Sequence, residues 1–175
     1  MLMGISCILA LTMPGGKNHL SLTSSAFGDG TPIPAVHANA GVTNGKNISI
    51  PIAWSGTPPG TKSFAISIID THHIASNWIH WFVIDIPNTV TSLPEGASKK
   101  NMPRGSRELD NSFGKQGYGG PQPPPGSGPH PYVITLYALS TEKLELKQSS
   151  TLREFKKALD GKILGEGRLI GTYQR

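Results

Sequence analysis

The stretch SFAISIIDTHHIASNWIHWFVIDIP, residues 63 to 87, carries the clearest structural pattern in this sequence. Its two ends, residues 63 to 70 and 78 to 87, are short runs of β-branched and aromatic residues, a composition typical of strands. Between and within them, twelve positions hold the carboxylate of Asp70, three histidines and two tryptophans. So polar a segment between two strands is either a binding site or a plain connection.

Further short apolar runs alternate with turn residues on both sides of this stretch. Strands are predicted at residues 48 to 54, 132 to 139 and 167 to 174, and the first is followed by the turn SGTPPGTK. The chain has 175 residues, of which 21 are glycine and 15 are proline. That length suits one domain with its own core, and that composition favours many short strands over long helices.

One segment has the pattern of a helix. STLREFKKALDG, residues 150 to 161, opens with Thr151 and Glu154 at the spacing of a capping box. Its apolar residues Leu152, Phe155 and Leu159 repeat on one helical face, and Gly161 is a stop signal. We therefore predict a short amphipathic helix near the C-terminus that packs on the sheet.

Residues 1 to 19 form an apolar N-terminal extension or weak leader ahead of a single domain at residues 20 to 175. The run MLMGISCILALTM has no Lys or Arg before its apolar core and no clear cleavage site, and it is too short to span a membrane. A cytoplasmic location is slightly favoured, with a periplasmic or secreted one if residues 1 to 16 act as a signal peptide. The single cysteine, Cys7, excludes an intrachain disulfide.

Positive charge is concentrated in the second half of the chain. The net charge is +5, and it divides into −1 for residues 1 to 98 and +6 for residues 99 to 175. Nucleic acid is not expected as a partner, because the basic segments lack the interleaved aromatic residues that stack on bases. Small anionic ligands are still attracted by such a field.

A long connection, residues 105 to 132, separates the predicted strands. Loops of this size in compact domains are usually functional or disordered, and Phe113, Tyr118 and Tyr132 give this one groups to bury. Gly119 and Gly120 would let the backbone approach a ligand closely and offer N–H donors to an anion.

Four segments together resemble the phosphatidylethanolamine-binding protein family, in its bacterial and archaeal Raf-kinase-inhibitor-like branch. They are IAWSGTPPGTKSFAISIID, HWFVIDIPNTVTSLPEG, NSFGKQGYGGPQPPPGSGPHPYVITLYAL and LIGTY, and the resemblance spans about residues 20 to 175. It implies a mainly β fold with a large central antiparallel sheet, a second smaller sheet and a short C-terminal helix. It also implies a small cavity at the sheet edge that binds phosphate, phosphorylated head groups such as phosphoethanolamine, or acetate-like anions.

The resemblance carries the family's cavity residues over to positions in this chain. The implied ligand-binding residues are Asp70, His72, His80, Tyr118, Gly120, Pro121, Pro123 and His130. Where the family has Asp-Pro-Asp-x-Pro, this chain has Asp70-Thr71-His72-His73-Ile74, so that His72 replaces the second carboxylate. His130 precedes Pro131 instead of arginine, and Gln122 replaces a common cysteine. His72 would add a titratable positive charge, so we expect anion binding to strengthen as the pH falls.

These features predict a binding protein that is not an enzyme, has no catalytic residues and needs no cofactor or metal. No serine lies in a G-x-S-x-G elbow, so no nucleophile is identified. The alternative is a metal-binding or hydrolytic site built from Asp70, His72, His80 and His130. The resemblance suggests a regulatory or inhibitory role toward a kinase or protease, and leaves a homodimer and peripheral membrane contact open.

Overall fold

Strands dominate residues 18–175, the part of the chain described by this computed structural model. The structure has the strands β1 (Asn18–His19), β2 (Ser21–Thr23), β3 (Ile52–Ser55), β4 (Ser63–Asp70), β5 (Trp78–Pro87), β6 (Ser92–Leu93), β7 (Arg107–Glu108), β8 (His130–Leu139) and β9 (Ile163–Tyr173). It also has the α-helix α1 (Leu152–Leu159) and the 3-10 helices Ala35–His37 and His73–Ala75. Residues 1–17, which include Cys7 and most of the predicted extension, lie outside the described residues.

The strands form two sheets. The larger has six strands in the order β1-β9-β8-β4-β5-β7, and the smaller has three in the order β2-β3-β6. Neighbouring strands are antiparallel except for the short parallel pair of β1 with β9. This arrangement confirms the predicted mainly β fold with a large central sheet, a smaller second sheet and a short C-terminal helix.

Strand β4 is buried along its whole length because both of its faces are covered. Side chains alternate between the two faces of a strand. Phe64, Ile66 and Ile68 belong to the apolar cluster that includes residues of the smaller sheet. Ala65 and Ile69 belong to the cluster beneath α1. This double burial explains why residues 63 to 70 form a nearly continuous apolar run.

Helix α1 has the predicted capping box. The Thr151 Oγ1 accepts a hydrogen bond from the Glu154 backbone N–H at 3.3 Å, and a Glu154 carboxylate oxygen accepts one from the Thr151 N–H at 2.8 Å. Phe155 stacks on Phe82 of β5 with ring centroids 4.2 Å apart. The helix therefore docks its apolar stripe on the larger sheet, as predicted. Neither this helix nor any other among residues 18–175 is long and apolar enough to cross a membrane.

The last two long strands begin earlier than the sequence indicated. Strand β8 begins at His130 instead of residue 132, and β9 begins at Ile163 instead of residue 167. Glycines in residues 163 to 167 concealed the start of β9, because glycine is depleted in strands. Gly167 is required there by close packing, since a Cβ at that position would lie 2.7 Å from the Leu20 carbonyl oxygen.

Candidate ligand-binding site

The register of three strands brings the polar residues together at one end of the larger sheet. Asp70, the last residue of β4, pairs with Trp78 of β5 on one side and with Tyr132 of β8 on the other. His80 and His130 each lie two positions from those partners. His80 occupies an irregularity in the pairing of β5 with β4, and both histidines face the same cavity as their neighbours. Three strand ends thus build one cluster of ionisable and aromatic groups.

These residues line a cavity of about 290 Å³. The lining residues are Asp70, Ile74, Ala75, Trp78, His80, Phe113, Gln122, Pro123, Pro124, His130 and Tyr132. The polar floor, made of Asp70, His80, His130 and Tyr132, is at most 4% exposed. The rim is apolar, and Ile74 and Trp78 are 49% and 39% exposed. A small ligand with a polar end and an apolar end fits such a lining.

Asp70 and His130 form a buried ion pair on the floor. The His130 Nδ1 lies 2.6 Å from an Asp70 carboxylate oxygen, and its Nε2 lies 3.0 Å from the Ser127 Oγ. The Ser127 hydroxyl also lies 2.7 Å from the Pro124 carbonyl, to which it can donate. Both ring nitrogens of His130 therefore have partners inside the protein.

His72 lies behind this pair and is not among the residues that line the cavity. Its backbone N–H donates to the other Asp70 carboxylate oxygen at 2.9 Å, a side-chain turn typical of aspartate. Its ring stacks on His130. Partial burial and the nearby His130 and His73 lower the pKa of His72. His72 thus acts on the cavity through His130 and Asp70.

His80 is a neutral acceptor in the folded protein. Its Nδ1 donates to the Gly119 carbonyl at 2.5 Å, and the Gly119 N–H donates to the His80 carbonyl at 2.8 Å. Burial lowers the pKa of His80 to about 4. The ring therefore keeps one proton on Nδ1 and leaves a lone pair on Nε2. The long connection and β5 hold this side chain in one tautomer.

The Tyr132 hydroxyl is buried next to the Asp70 carboxylate and makes no hydrogen bond of normal geometry among residues 18–175. Burial, together with the nearby Asp70 carboxylate, raises the pKa of Tyr132, so the phenol keeps its proton. Buried hydroxyls nearly always have a partner, and an exception calls for an explanation. A ligand in the cavity would supply that partner.

Three of the predicted site residues support the cavity from behind and are not part of its lining. The Tyr118 hydroxyl donates to the His37 carbonyl at 2.9 Å. The Gly120 N–H donates to the Asn47 side chain at 2.7 Å, and the Pro121 carbonyl accepts from the Asn39 N–H at 3.0 Å. The predicted N–H donors of Gly119 and Gly120 are therefore engaged inside the protein.

Close approach at Gly120 also has an internal cause. A Cβ at Gly120 would collide with the carbonyl oxygen of His37. At Gly119 a Cβ would lie 2.6 Å from the ring of Phe113. The long connection needs its glycines to pack on its own neighbours.

Several lining residues were not assigned to the site by sequence reasoning. They are Ile74, Ala75, Trp78, Phe113, Gln122, Pro124 and Tyr132. Sequence reasoning treated Tyr132 and Phe113 only as groups to be buried. The signal for Tyr132 is its position two residues after His130 in a strand, which places both side chains on one face.

The hydrolytic alternative has one geometric argument in its favour. Asp70, His130 and Ser127 form the acid, base and hydroxyl sequence of a catalytic triad. However, Ser127 does not line the cavity, and its hydroxyl also lies 2.7 Å from the Pro124 carbonyl, which competes with His130 for its hydrogen. Ser127 therefore fixes His130 instead of facing a substrate.

The metal alternative has no matching arrangement in the described part of the chain. Within residues 18–175, no three His, Cys, Asp or Glu side chains are arranged to hold a metal ion. The reason is local. The ring nitrogens of His130 are used by Asp70 and Ser127, and the Nδ1 of His80 is used by Gly119.

The two sheets and the cavity at the edge of the larger one define a mainly β protein with a small polar-floored cavity. The model of the family described as phosphatidylethanolamine-binding protein matches residues 23–174, nearly the whole chain. The chain belongs to this family, as the sequence resemblance predicted. Proteins of the family are generally binding proteins without catalysis.

Similar proteins are found in two different bacteria. The UPF0098 protein of Aquifex aeolicus (strain VF5) is 36% identical over 156 residues, which cover 89% of each chain. The UPF0098 protein YbcL of Escherichia coli (strain K12) is 37% identical over 153 residues, which cover 84% of each chain. The crystal structure of Escherichia coli YbcL, described as a member of the mammalian PEBP family, matches with a TM-score of 0.83 and 34% identity, over 89% of this chain and 98% of that one.

Proposed function

We propose that the protein binds small anionic ligands, phosphate or phosphorylated head groups such as phosphoethanolamine, in the cavity at the ends of β4, β5 and β8. The observation that carries this proposal is the cavity itself, whose lining includes His80, His130 and Tyr132, with the Tyr132 hydroxyl next to Asp70 but without a hydrogen bond of normal geometry. Its proton stays on the phenol, so it is a donor ready for a ligand oxygen. Hydrogen bonds to an ionised acceptor are roughly twice as strong as those between neutral groups.

Charge supports an anionic ligand as well. The His130 ring, which contacts Asp70 and Ser127, lines the same cavity as Tyr132 and carries positive charge when both of its nitrogens hold a proton. The +6 net charge of residues 99 to 175 adds a favourable field over a longer range. The Asp70 carboxylate opposes an anion, but its two oxygens are engaged by His130 and by the His72 N–H.

The protein acts by binding and has no catalytic step of its own in this proposal. The Ser127 hydroxyl, which contacts His130, lies outside the cavity lining and within hydrogen-bond distance of the Pro124 carbonyl. A regulatory or inhibitory effect on a kinase or protease stays a prediction of the family resemblance. In that case, binding of a ligand in the cavity would control the effect on the partner protein.

Calorimetric titration with phosphoethanolamine tests the proposal. Tyr132→Phe removes only the hydroxyl and should weaken binding by about tenfold to a hundredfold, the effect of one hydrogen bond to a charged group. Tyr137→Phe is the matched control, because Tyr137 lies on the same strand but packs on Phe155, away from the cavity. Its affinity should equal that of the parent.

Stability gives a second, independent readout. The Tyr132 hydroxyl makes no hydrogen bond of normal geometry in the described structure, so Tyr132→Phe should leave the free energy of unfolding unchanged or slightly higher. Weaker binding at undiminished stability is the signature of a ligand-binding group. Equal affinity in Tyr132→Phe and Tyr137→Phe would show that phosphoethanolamine binds elsewhere.

A further inference from the structure

The hydrogen-bonding groups on the cavity floor have unequal roles. The His80 Nδ1 is committed to the Gly119 carbonyl, which leaves Nε2 as the ring nitrogen that can accept from a ligand. The His130 nitrogens are committed to Asp70 and Ser127. On the buried floor, the groups that can meet a ligand are therefore an acceptor, the Nε2 of His80, and a donor, the hydroxyl of Tyr132 next to Asp70.

These two groups are close neighbours. The rings of His80 and Tyr132 meet edge to face, with centroids 5.0 Å apart. Phe113 covers the other side of the His80 ring at 5.8 Å. A single small head group in the cavity would meet both, and it would have to donate one hydrogen bond and accept another.

We infer that the cavity selects an oxyacid group that retains one proton, such as a singly charged phosphate monoester or phosphonate, over a fully deprotonated oxyanion such as sulfate or a sulfonate. The P–OH group donates to the His80 Nε2, and a charged P–O⁻ oxygen accepts from the Tyr132 hydroxyl. This inference rests on the proposed function and names the protonation state of the ligand at that same site.

A fully deprotonated oxyanion presents only lone pairs to His80. Its oxygen and the His80 Nε2 would both be acceptors, and a buried acceptor without a donor is costly. The ring could adapt only by taking up a proton. Because burial lowers the pKa of His80 to about 4, this is unfavourable by roughly a thousandfold at pH 7.

The charged groups around His80 do not remove this preference. Asp70 favours a protonated His80 and His130 opposes it, so their effects act in opposite directions. His72 and His73 lie behind His130 in a stack of rings. A change in the charge of His72 or His73 alters the electrostatic potential in the cavity equally for any monoanion. A comparison of two monoanions at one pH is therefore insensitive to it.

Methylphosphonate and methanesulfonate form the matched pair of probes. At about pH 5.5 both are compact monoanions of similar shape, and they differ by the single P–OH proton. Calorimetry with the parent protein should show methylphosphonate binding at least about tenfold more tightly, the effect of one hydrogen bond. As the pH rises to about 8.5, the phosphonate loses its proton and this ratio should collapse.

Two variants separate the roles of the two groups. His80→Phe should bring the phosphonate to sulfonate ratio close to one, whereas Tyr132→Phe should weaken both probes and preserve the ratio. Folding of each variant is verified by its urea denaturation curve, and the comparison in the parent protein decides the matter if His80→Phe does not fold.

The outcomes are distinguishable. Equal affinities for the two probes, or tighter binding of the sulfonate, would overturn the inference and leave anion binding at the cavity intact. Binding of neither probe, with phosphoethanolamine also unbound, would overturn the proposed function and this inference together.

Discussion

His72 stacks its ring face to face on that of His130, with centroids 3.9 Å apart and planes inclined by 16°. His130 in turn contacts Asp70. A charge on His72 therefore affects the cavity through its electrostatic interaction with these two buried groups. Partial burial and the two adjacent histidines lower the pKa of His72. The positive charge expected from the replacement of a carboxylate by His72 therefore appears only at more acidic pH than for an ordinary histidine.

The first prediction concerns this stack. His130→Asn should raise the pKa of His72 for two reasons. It removes the effect of His130, which lowers this pKa, and it leaves the Asp70 carboxylate, which raises it, without its histidine partner. Titration of the histidine side chains by NMR measures this directly. His37 lies away from the cavity, bonded to the Ile48 carbonyl, and serves as the internal reference. An unchanged or lower midpoint for His72 would refute the coupling.

The second prediction concerns the buried ion pair. Asp70→Asn should lower the free energy of unfolding by about 3 kcal/mol, because removal of one partner leaves a buried charge uncompensated. Urea denaturation at neutral pH measures the loss. Ser127→Ala is the control, since it removes a single hydrogen bond of His130 and should cost about 1 kcal/mol or less. Equal losses of unfolding free energy in the two variants would mean that the Asp70–His130 pair stabilises the protein no more than a single hydrogen bond does.

The parts of the fold that sequence predicts well depend on local pattern. The apolar run of residues 63 to 70 and the capping box of Thr151 and Glu154 predict β4 and the start of α1 because each is determined by adjacent residues. The start of β9 was missed because its glycines hide it. One of them, Gly167, is explained by the approach of Leu20, which is distant in sequence.

The candidate site shows the same division. The resemblance led to Asp70, His80, Pro123 and His130, and all four line the cavity. Tyr132 was not assigned to the site, because its position beside Asp70 depends on the register of β4 and β8. Likewise, a glycine that permits close approach looks the same in sequence whether it approaches a ligand or, like Gly120, the backbone of another loop.

The third prediction concerns stability and pH. His80 has its pKa lowered from 6.5 to about 4 in the folded protein. The unfolded chain therefore takes up a proton near pH 6.5, while the folded protein resists it until near pH 4. The resulting stabilisation is fully present above pH 6.5 and is lost as the pH falls toward 4. It amounts to about 3 kcal/mol.

The measurement is the free energy of unfolding in urea across this range. The parent protein and His80→Phe should converge as the pH falls, and the difference between them should change by up to about 3 kcal/mol between pH 7 and 4. Tyr137→Phe should run parallel to the parent, because Tyr137 packs on Phe155 and its replacement leaves His80 unchanged. Parallel curves for His80→Phe would mean that His80 is protonated as readily in the folded as in the unfolded chain.

The fourth prediction concerns the apolar rim. Trp78 is 39% exposed at the mouth of the cavity and packs edge to face on Phe113, with ring centroids 5.3 Å apart. An aromatic group attached to the ligand's oxyacid would lie against these rings, a contact worth about 1 kcal/mol. Trp78→Ala should therefore weaken the binding of phenylphosphonate by roughly fivefold to tenfold and change that of methylphosphonate little.

Ile170→Ala is the control, because Ile170 is about equally exposed but lies on β9, outside the cavity lining. Calorimetry with both probes on both variants measures the effect. An equal loss for the two phosphonates in Trp78→Ala would show that Trp78 supports the cavity wall without contacting the ligand.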